Sequence, residues 1–301
     1  MKVIKVCYWK EVDNFGDLLN PYIIEKLGRC RVKYYTLKSK GQVLKSIFHS
    51  IFLKRKLDIK LIRSITNAGK GILAIGSILS KAGPLTTVWG SGFMNEDETC
   101  IEGGKILAVR GKESYRKLEE LGFSNKPVFG DPALLLPIIY KPKSEERYEI
   151  GIIPHWSEFD QLYEKYSSKH KVINLVTKDV EGVIDQICSC KYVLSTSLHG
   201  IIVAHAYSVP AIWFKEGYID TDGFKFNDYF SSVNIPYYKG YNLDAALEAE
   251  SIEDFFRLNS NISLIRNNLT DIQSSLLKVA PFPLKTKYNF GHRLDPFHIN
   301  S

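Results

Sequence analysis

Cysteine is scarce in this chain and poorly spaced for a structural role. The 301 residues hold five cysteines, Cys7, Cys30, Cys100, Cys188 and Cys190. Their number is odd, no C-x-x-C occurs and only one C-x-C pair is present, which excludes a disulfide framework and a zinc set and points to a reducing cytoplasm. No apolar run approaches the eighteen or so residues of a spanning helix. The stretch Met1–Trp9 is too short for a secretory signal and reads as a first strand, so a soluble, non-exported protein is expected. G-x-G-x-x-G and G-x-x-x-x-G-K-[ST] are both missing, which leaves a standard dinucleotide or P-loop site unsupported. No His/Asp/Glu cluster has ligand spacing, so no metal and no cofactor is expected.

What is present is the composition of a globular protein, with 45% hydrophobic and 24% charged residues. The length suggests two domains of roughly 150 residues. Basic residues number 40 against 33 acidic ones, a net charge of +7. That excess is concentrated in segment 38–63, where Lys38, Lys40, Lys45, Lys54, Arg55, Lys56, Lys60 and Arg63 face only Asp58. In the same segment Leu44, Ile47, Phe48, Ile51 and Phe52 recur at helical spacing. Such a helix either docks its apolar stripe on the core or lies on an anionic membrane surface. Nucleic-acid binding is disfavoured, because no helix-turn-helix, zinc finger or RNA-binding signature accompanies the basic run.

The remainder alternates strands and helices. Val3–Tyr8, Ile72–Ile75, Thr87–Trp89 and Ile106–Val109 are short apolar runs, the last three ending at a glycine-bearing turn. The polar stretch Lys141–Arg147 has linker composition, and after it come strands at Ile150–Ile153, Lys171–Val176, Tyr192–Leu194 and Ala211–Phe214. Continuous apolar strands separated by helices predict an α/β protein with buried parallel sheets and binding loops at their carboxyl ends. The expected architecture is two Rossmann-like domains facing a cleft, residues 1–140 and 148–280, followed by a tail at 281–301 containing His292, Arg293 and His298.

The chemically capable residues fall at those strand ends. His199 follows a strand and a Ser/Thr-rich turn and opens a helix, so its imidazole sits beside free N–H groups that favour an anion. A histidine there either exchanges a proton during reaction or merely caps the junction. His205 lies inside an apolar helix and reads as a buried, hydrogen-bonded residue, whereas His155 closes a strand and can face the same cleft. Arg110 ends a strand at the mouth of the first domain, where a guanidinium pairs with carboxylate or phosphate or is simply solvated. Asn14, Phe15, Gly16 and Asp17 form either a helix N-cap or a turn that a ligand approaches closely.

In order and spacing these segments resemble the polysaccharide pyruvyl transferase family. The matching stretches are Asn14-Phe15-Gly16-Asp17 with Asn20-Pro21, Val88-Trp89-Gly90-Ser91-Gly92-Phe93, Ala108-Val109-Arg110-Gly111, Gly130-Asp131-Pro132-Ala133 and Ser195-Thr196-Ser197-Leu198-His199-Gly200. Gly223–Phe230 is similar to the exopolysaccharide and capsule branch. The resemblance implies a GT-B-like fold and transfer of pyruvate from phosphoenolpyruvate, as a ketal, onto a sugar of a lipid-linked oligosaccharide at the inner face of the cytoplasmic membrane. It also implies His199 and Arg110 as catalytic residues. Arg110, Ser195, Ser197, Leu198, His199, Gly200, Lys215 and Lys225 become the expected donor site, and Asn14, Gly16, Asp17, Ser91, Asp131 and His155 the expected acceptor site. One departure stands out: Ser197 takes the place of the arginine in the family's R-L-H-G motif, so either Arg110 with Lys215 or Lys225 meets the donor's charge, or the helix N-terminus with the Ser195 and Ser197 hydroxyls does, or the activity is altered or lost. Two other functions share these features, a nucleotide-sugar glycosyltransferase with the same two-domain cleft and a non-catalytic scaffold of glycan assembly.

Overall fold

The computed structural model describes residues 1–35, 70–143, 145, 147–215, 221–247 and 251–289. The basic segment 38–63 and the tail histidines therefore lie outside the described residues, apart from the tail's first nine positions.

Two parallel sheets carry the fold. The first has six strands in the order β2-β1-β3-β4-β5-β6, formed by β1 (Lys2–Cys7), β2 (Cys30–Tyr34), β3 (Gly71–Leu73), β4 (Thr86–Trp89), β5 (Lys105–Val109) and β6 (Val128–Phe129). The second has four strands in the order β10-β9-β7-β8, formed by β7 (Tyr148–Ile153), β8 (Lys171–Val172), β9 (Cys190–Ser195) and β10 (Ala211–Trp213). Chain order reverses direction between β1 and β3 in one sheet and between β7 and β9 in the other. Ligands of such sheets bind at the carboxyl ends of the strands, where the order reverses. Val6 pairs with Ile72 and Ile153 with Ser195 across these two positions. Strand β8 stops at Val172 rather than at Val176, because the Asn174 side chain accepts the Val176 N–H at 2.8 Å and turns the chain out of the sheet. The released backbone meets the other half: the N–H of Phe15 donates to the Leu175 carbonyl and that of Thr177 to the Asp13 carbonyl, both at 2.8 Å.

Helices cover the sheets as the apolar spacing predicts: α1 (Phe15–Leu27), α2 (Lys112–Glu120), α3 (Phe159–Tyr166), α4 (Val180–Cys188) and α5 (Leu198–Ala206). Helix α1 contains Pro21, which cannot donate to the Asp17 carbonyl one turn back. The Asn20 amide replaces that donor at 3.1 Å. It also exchanges hydrogen bonds with Ile75, its Nδ2 donating to the carbonyl at 3.0 Å and its Oδ1 accepting from the N–H at 2.9 Å. The Asn-Pro pair thus locks α1 to the loop after β3.

One hydrophobic core runs through both halves, from Val6, Leu19 and Ile23 to Ile153, Ile201 and Phe230, and a smaller one around Val88, Phe93 and Val109 fills the other face of the first sheet. Two late helices, α6 (Phe224–Ser232) and α7 (Leu269–Lys278), return to the first half, α6 against α2 and α7 against β6 and the turn at Pro132–Leu135. Trp89 Nε1 donates to the Leu276 carbonyl at 3.0 Å. The start of the tail follows them, with the Lys285 N–H donating to the Leu27 carbonyl at 2.8 Å.

Candidate functional site

The carboxyl ends of β5, β6, β7 and β9 converge with the amino end of α6 and bring His199, Asp131, Arg110, Lys225 and His155 into one electrostatic neighbourhood. His199 occupies the first turn of α5, after Ser197, which is extended and caps no N–H with its hydroxyl. The imidazole side chain is 15% accessible, and its Nε2 lies 3.9 Å from Asp131 Oδ2. Both atoms are sealed from solvent and make no hydrogen bond among the described residues. Burial, followed by the charges of Arg110 and Lys225, lowers the His199 pKa to about 3, so the ring is neutral at pH 7 and its contact with Asp131 is no salt bridge. Asp131 is fully buried and opens the turn at Pro132 by accepting the Ala133 N–H on Oδ1 at 2.9 Å. Burial raises its carboxyl to about 7, against the pull of the Ala133 N–H and Arg110.

Arg110 departs from its expected place at a solvent-facing mouth. It is fully buried, because α6 packs against α2 and supplies Asp228. Arg110 Nε donates to Asp228 Oδ2 at 2.9 Å, Nη1 donates to Ser77 Oγ at 2.6 Å and Nη2 donates to the Phe93 carbonyl. Asp228 also accepts the N–H and hydroxyl of Ser114, each at 2.7 Å. A Cβ on Gly92 would stand 2.6 Å from the guanidinium, and one on Gly111 would stand 1.7 Å from the Asp228 carbonyl oxygen. These glycines are required by close approach.

Lys225, one turn before Asp228, is 6% exposed, and among the described residues its ammonium forms no ion pair; its recorded contact is the Phe226 ring at 5.3 Å. Burial and the charge of Arg110 lower its pKa to about 8, with Glu158 opposing them. His155 is brought to about 4 by burial and by Lys225. Its Nδ1 is 2.7 Å from Ser157 Oγ, and its N–H donates to Thr196 Oγ1 at 2.7 Å. The Thr196 hydroxyl in turn donates to Glu158 Oε2 at 2.6 Å.

On the other side of His199 stands the turn that opens α1. A Cβ at Gly16 would lie 2.3 Å from His199 Nδ1, so only glycine allows the turn to rest on the ring. Asn14 does not cap the helix with its side chain; its Nδ2 instead donates to Asp17 Oδ2 at 2.6 Å, and the Trp9 N–H donates to Asp17 Oδ1 at 3.1 Å. Burial lifts the Asp17 carboxyl to about 6.

Several residues of the expected sites have their polar groups engaged by backbone or lie in the core. The Ser91 hydroxyl is buried and donates to the Gly76 carbonyl at 2.8 Å, holding the loop that carries Ser77. The Ser195 hydroxyl is spent on backbone, accepting the Ser197 N–H at 3.0 Å and lying 2.9 Å from the Ile153 and Ser197 carbonyls. Leu198 is core, and a Cβ on Gly200 would stand 2.5 Å from Ser195 Oγ. Lys215 is exposed at the end of edge strand β10 and is not among the charges acting on His199. His205 is the buried, bonded histidine expected, 3.1 Å from both Tyr229 Oη and the Ala211 carbonyl. Asp228, Ser77, Ser114, Thr196 and Glu158 had no sequence assignment; for Asp228 the available signal was an acid among the aromatic residues of Gly223–Phe230. Among the described residues no group of three or more His, Cys, Asp or Glu side chains is arranged to hold a metal, and no helix is long and apolar enough to cross a membrane.

Residues 88–218 match the polysaccharide pyruvyl transferase family. The matched segment contains Arg110, Asp131, His155 and the Ser195–Gly200 stretch, while Asn14, Gly16, Asp17, Lys225 and Asp228 reach the site from outside it. The match supports a transferase and polysaccharide pyruvylation in general terms, with a saccharide as acceptor. The chain is also similar to an uncharacterized protein, L143, of Acanthamoeba polyphaga mimivirus, at 27% identity across 97% of this chain and 96% of that protein.

Proposed function

We propose that the protein transfers pyruvate from phosphoenolpyruvate, as a ketal, onto two hydroxyls of one sugar in a polysaccharide repeat unit, releasing phosphate. The observation that carries this reading is Lys225, a buried cation that pairs with no acid among the described residues, beside a neutral histidine in the first turn of α5. An ammonium held in a dry site gains most from a bound anion. A donor carrying both carboxylate and phosphate supplies that charge, and the first turn of α5 adds N–H groups that have no intrahelical partner.

In the proposed reaction one sugar hydroxyl adds through its oxygen to C2 of phosphoenolpyruvate, and C3 gains a proton. The second hydroxyl then forms the other C2–O bond as the C2–O bond to phosphate breaks, its proton leaving with the phosphate. His199, neutral at rest, takes the first hydroxyl proton and returns a proton to C3. Lys225 holds the donor's charge, and Arg110 contributes its field from beneath while its guanidinium stays on Asp228. Asn14 and Asp17 offer polar groups to the acceptor on the Gly16 side. This account meets the departure at Ser197: Lys225 and the helix N-terminus replace the missing arginine.

The finer parts of the reading rest on the sequence. They are a GT-B-like division into an acceptor side (1–140) and a donor side (148–280), a lipid-linked acceptor, a role in capsule or exopolysaccharide synthesis, and contact of segment 38–63 with the inner face of the cytoplasmic membrane. The test is phosphate release from phosphoenolpyruvate that depends on added saccharide, with the ketal identified on the product by mass spectrometry. His199→Ala should lower the rate by 10²–10⁴, the usual loss of an acid/base group. Turnover of a nucleotide sugar in place of phosphoenolpyruvate would replace this reading with glycosyl transfer.

A further inference from the structure

Asp131 and His199 present two sealed polar atoms to each other, Oδ2 and Nε2, 3.9 Å apart and without other partners among the described residues. A closure of about 1 Å would make this a hydrogen bond of ordinary length. Among the described residues no other carboxylate is placed to do the same. Asp228 has both oxygens occupied by Arg110 and Ser114, and Asp17 is held by Asn14 and the Trp9 N–H. The opposite edge of the ring, at Nδ1, faces Gly16 and the Asn14–Asp17 turn.

We propose that Asp131 is the positioning residue of His199: its Oδ2 takes the Nε2–H, fixing the ring's tautomer and leaving Nδ1 as the atom that receives the acceptor proton. The assignment deepens the pyruvyl transfer reading and rests on it for the identity of the proton donor, but the tautomer itself is a property of the free protein. When Nδ1 accepts a proton the ring becomes an imidazolium among Arg110 and Lys225, both of which oppose that charge. The Asp131 carboxylate is then its counter-charge, as in the acid–histidine pairs of hydrolases. The groups facing the pair are Arg110 after β5, Lys225, Asp228 and Tyr229 from α6, Gly16 from α1 and the Ala133 N–H. In this setting Asp131 loses its proton at about 7. Above that pH the carboxylate accepts the Nε2–H. Below it the carboxylic acid donates to Nε2, the ring proton sits on Nδ1, and the base is lost.

The experiment is long-range ¹H–¹⁵N correlation spectroscopy of the full-length protein labelled at its seven histidines, with His199 assigned from the His199→Gln spectrum. The expected result is an Nε2–H tautomer at pH 8 that converts to Nδ1–H as the pH falls through about 7. His205, with Nε2 against the Ala211 carbonyl and Nδ1 against Tyr229 Oη, should remain Nε2–H throughout. Asp131→Asn, which keeps the Oδ1 acceptor for Ala133, should abolish the conversion. Its kcat should fall by about 10² or more, with phosphoenolpyruvate KM unchanged within about threefold. A His199 tautomer that ignores both pH and Asp131→Asn would overturn the proposal. A conversion without any saccharide-dependent turnover would uphold the pair and sink the pyruvyl transfer reading alone.

Discussion

Two fully buried aspartates stand in this site under opposite circumstances. Asp228 accepts from Arg110 and twice from Ser114, and Gly92 and Gly111 are emptied of side chains to allow it. Asp131 has one backbone partner and aims its free oxygen at a histidine that also has a free atom. Burial raises both carboxyls; only Asp228 has a guanidinium and a serine bonded to it in compensation. A satisfied network fixes geometry, whereas an unsatisfied pair stores the capacity to move a proton. The resemblance makes both His199 and Arg110 catalytic; in the proposed reaction Arg110 acts from within the Asp228 network, and the Asp131–His199 pair moves the proton.

The comparison breaks most visibly in stability. Asp228→Ala strands the buried Arg110 charge and should cost about 3–5 kcal/mol, read by urea unfolding at pH 7.5. Asp131→Asn keeps its cap and strands no charge, so at this pH it should not destabilise the protein, while its rate collapses. Equal losses in the two variants would erase the distinction. A smaller effect is expected at Gly16→Ala, whose methyl would stand 2.3 Å from His199 Nδ1. Overpacking there should cost about 1–3 kcal/mol, and displacement of the ring should reduce turnover by at least as much as it reduces stability.

Acid sharpens the contrast. His199, His155 and His205 have folded pKa values of about 3, 4 and 4, below the ordinary 6.5, so the unfolded chain binds more protons beneath pH 6.5 and stability should fall on acidification. Asp131, raised from 3.8 to about 7, acts in reverse: the folded state holds its proton first, which offsets part of that fall between pH 7 and 4. Thermal melts across this range should therefore show a steeper acid decline in Asp131→Asn than in the parent protein. The smallest effect belongs to Ser197→Ala. Its hydroxyl caps nothing, so the change should stay within about 0.5 kcal/mol. Ser251→Ala, which removes a real cap on the Asp254 N–H at 3.2 Å, should cost about 1 kcal/mol.

Much of this arrangement is legible in the sequence. Apolar runs such as Ile150–Ile153 and Ile106–Val109 announce buried parallel strands, and glycine or proline after them marks the binding ends. The positions of His199 and of the Asn14–Asp17 turn followed directly. Strands β2 and β6 did not, because Cys30–Tyr34 alternates with charge at the sheet edge and Val128–Phe129 spans two residues. Nor did the burial of Arg110: a strand-end arginine looks solvated until a helix from more than a hundred residues away brings its carboxylate. The Asp131–His199 contact is of the same kind, since its partners belong to different sheets and no local spacing records it.

The central claim is that the cations around His199 form an anion site for phosphoenolpyruvate, and its most direct test is thermal stabilisation by that ligand in the parent protein and in Lys225→Met. Arg110 is unsuited to this test because its loss damages the fold. At about 100 times its Kd, phosphoenolpyruvate should add roughly 2.7 kcal/mol, and most of that gain should disappear in Lys225→Met. Stabilisation by a nucleotide sugar with none from phosphoenolpyruvate, or a phosphoenolpyruvate response that Lys225→Met leaves intact, would contradict the account.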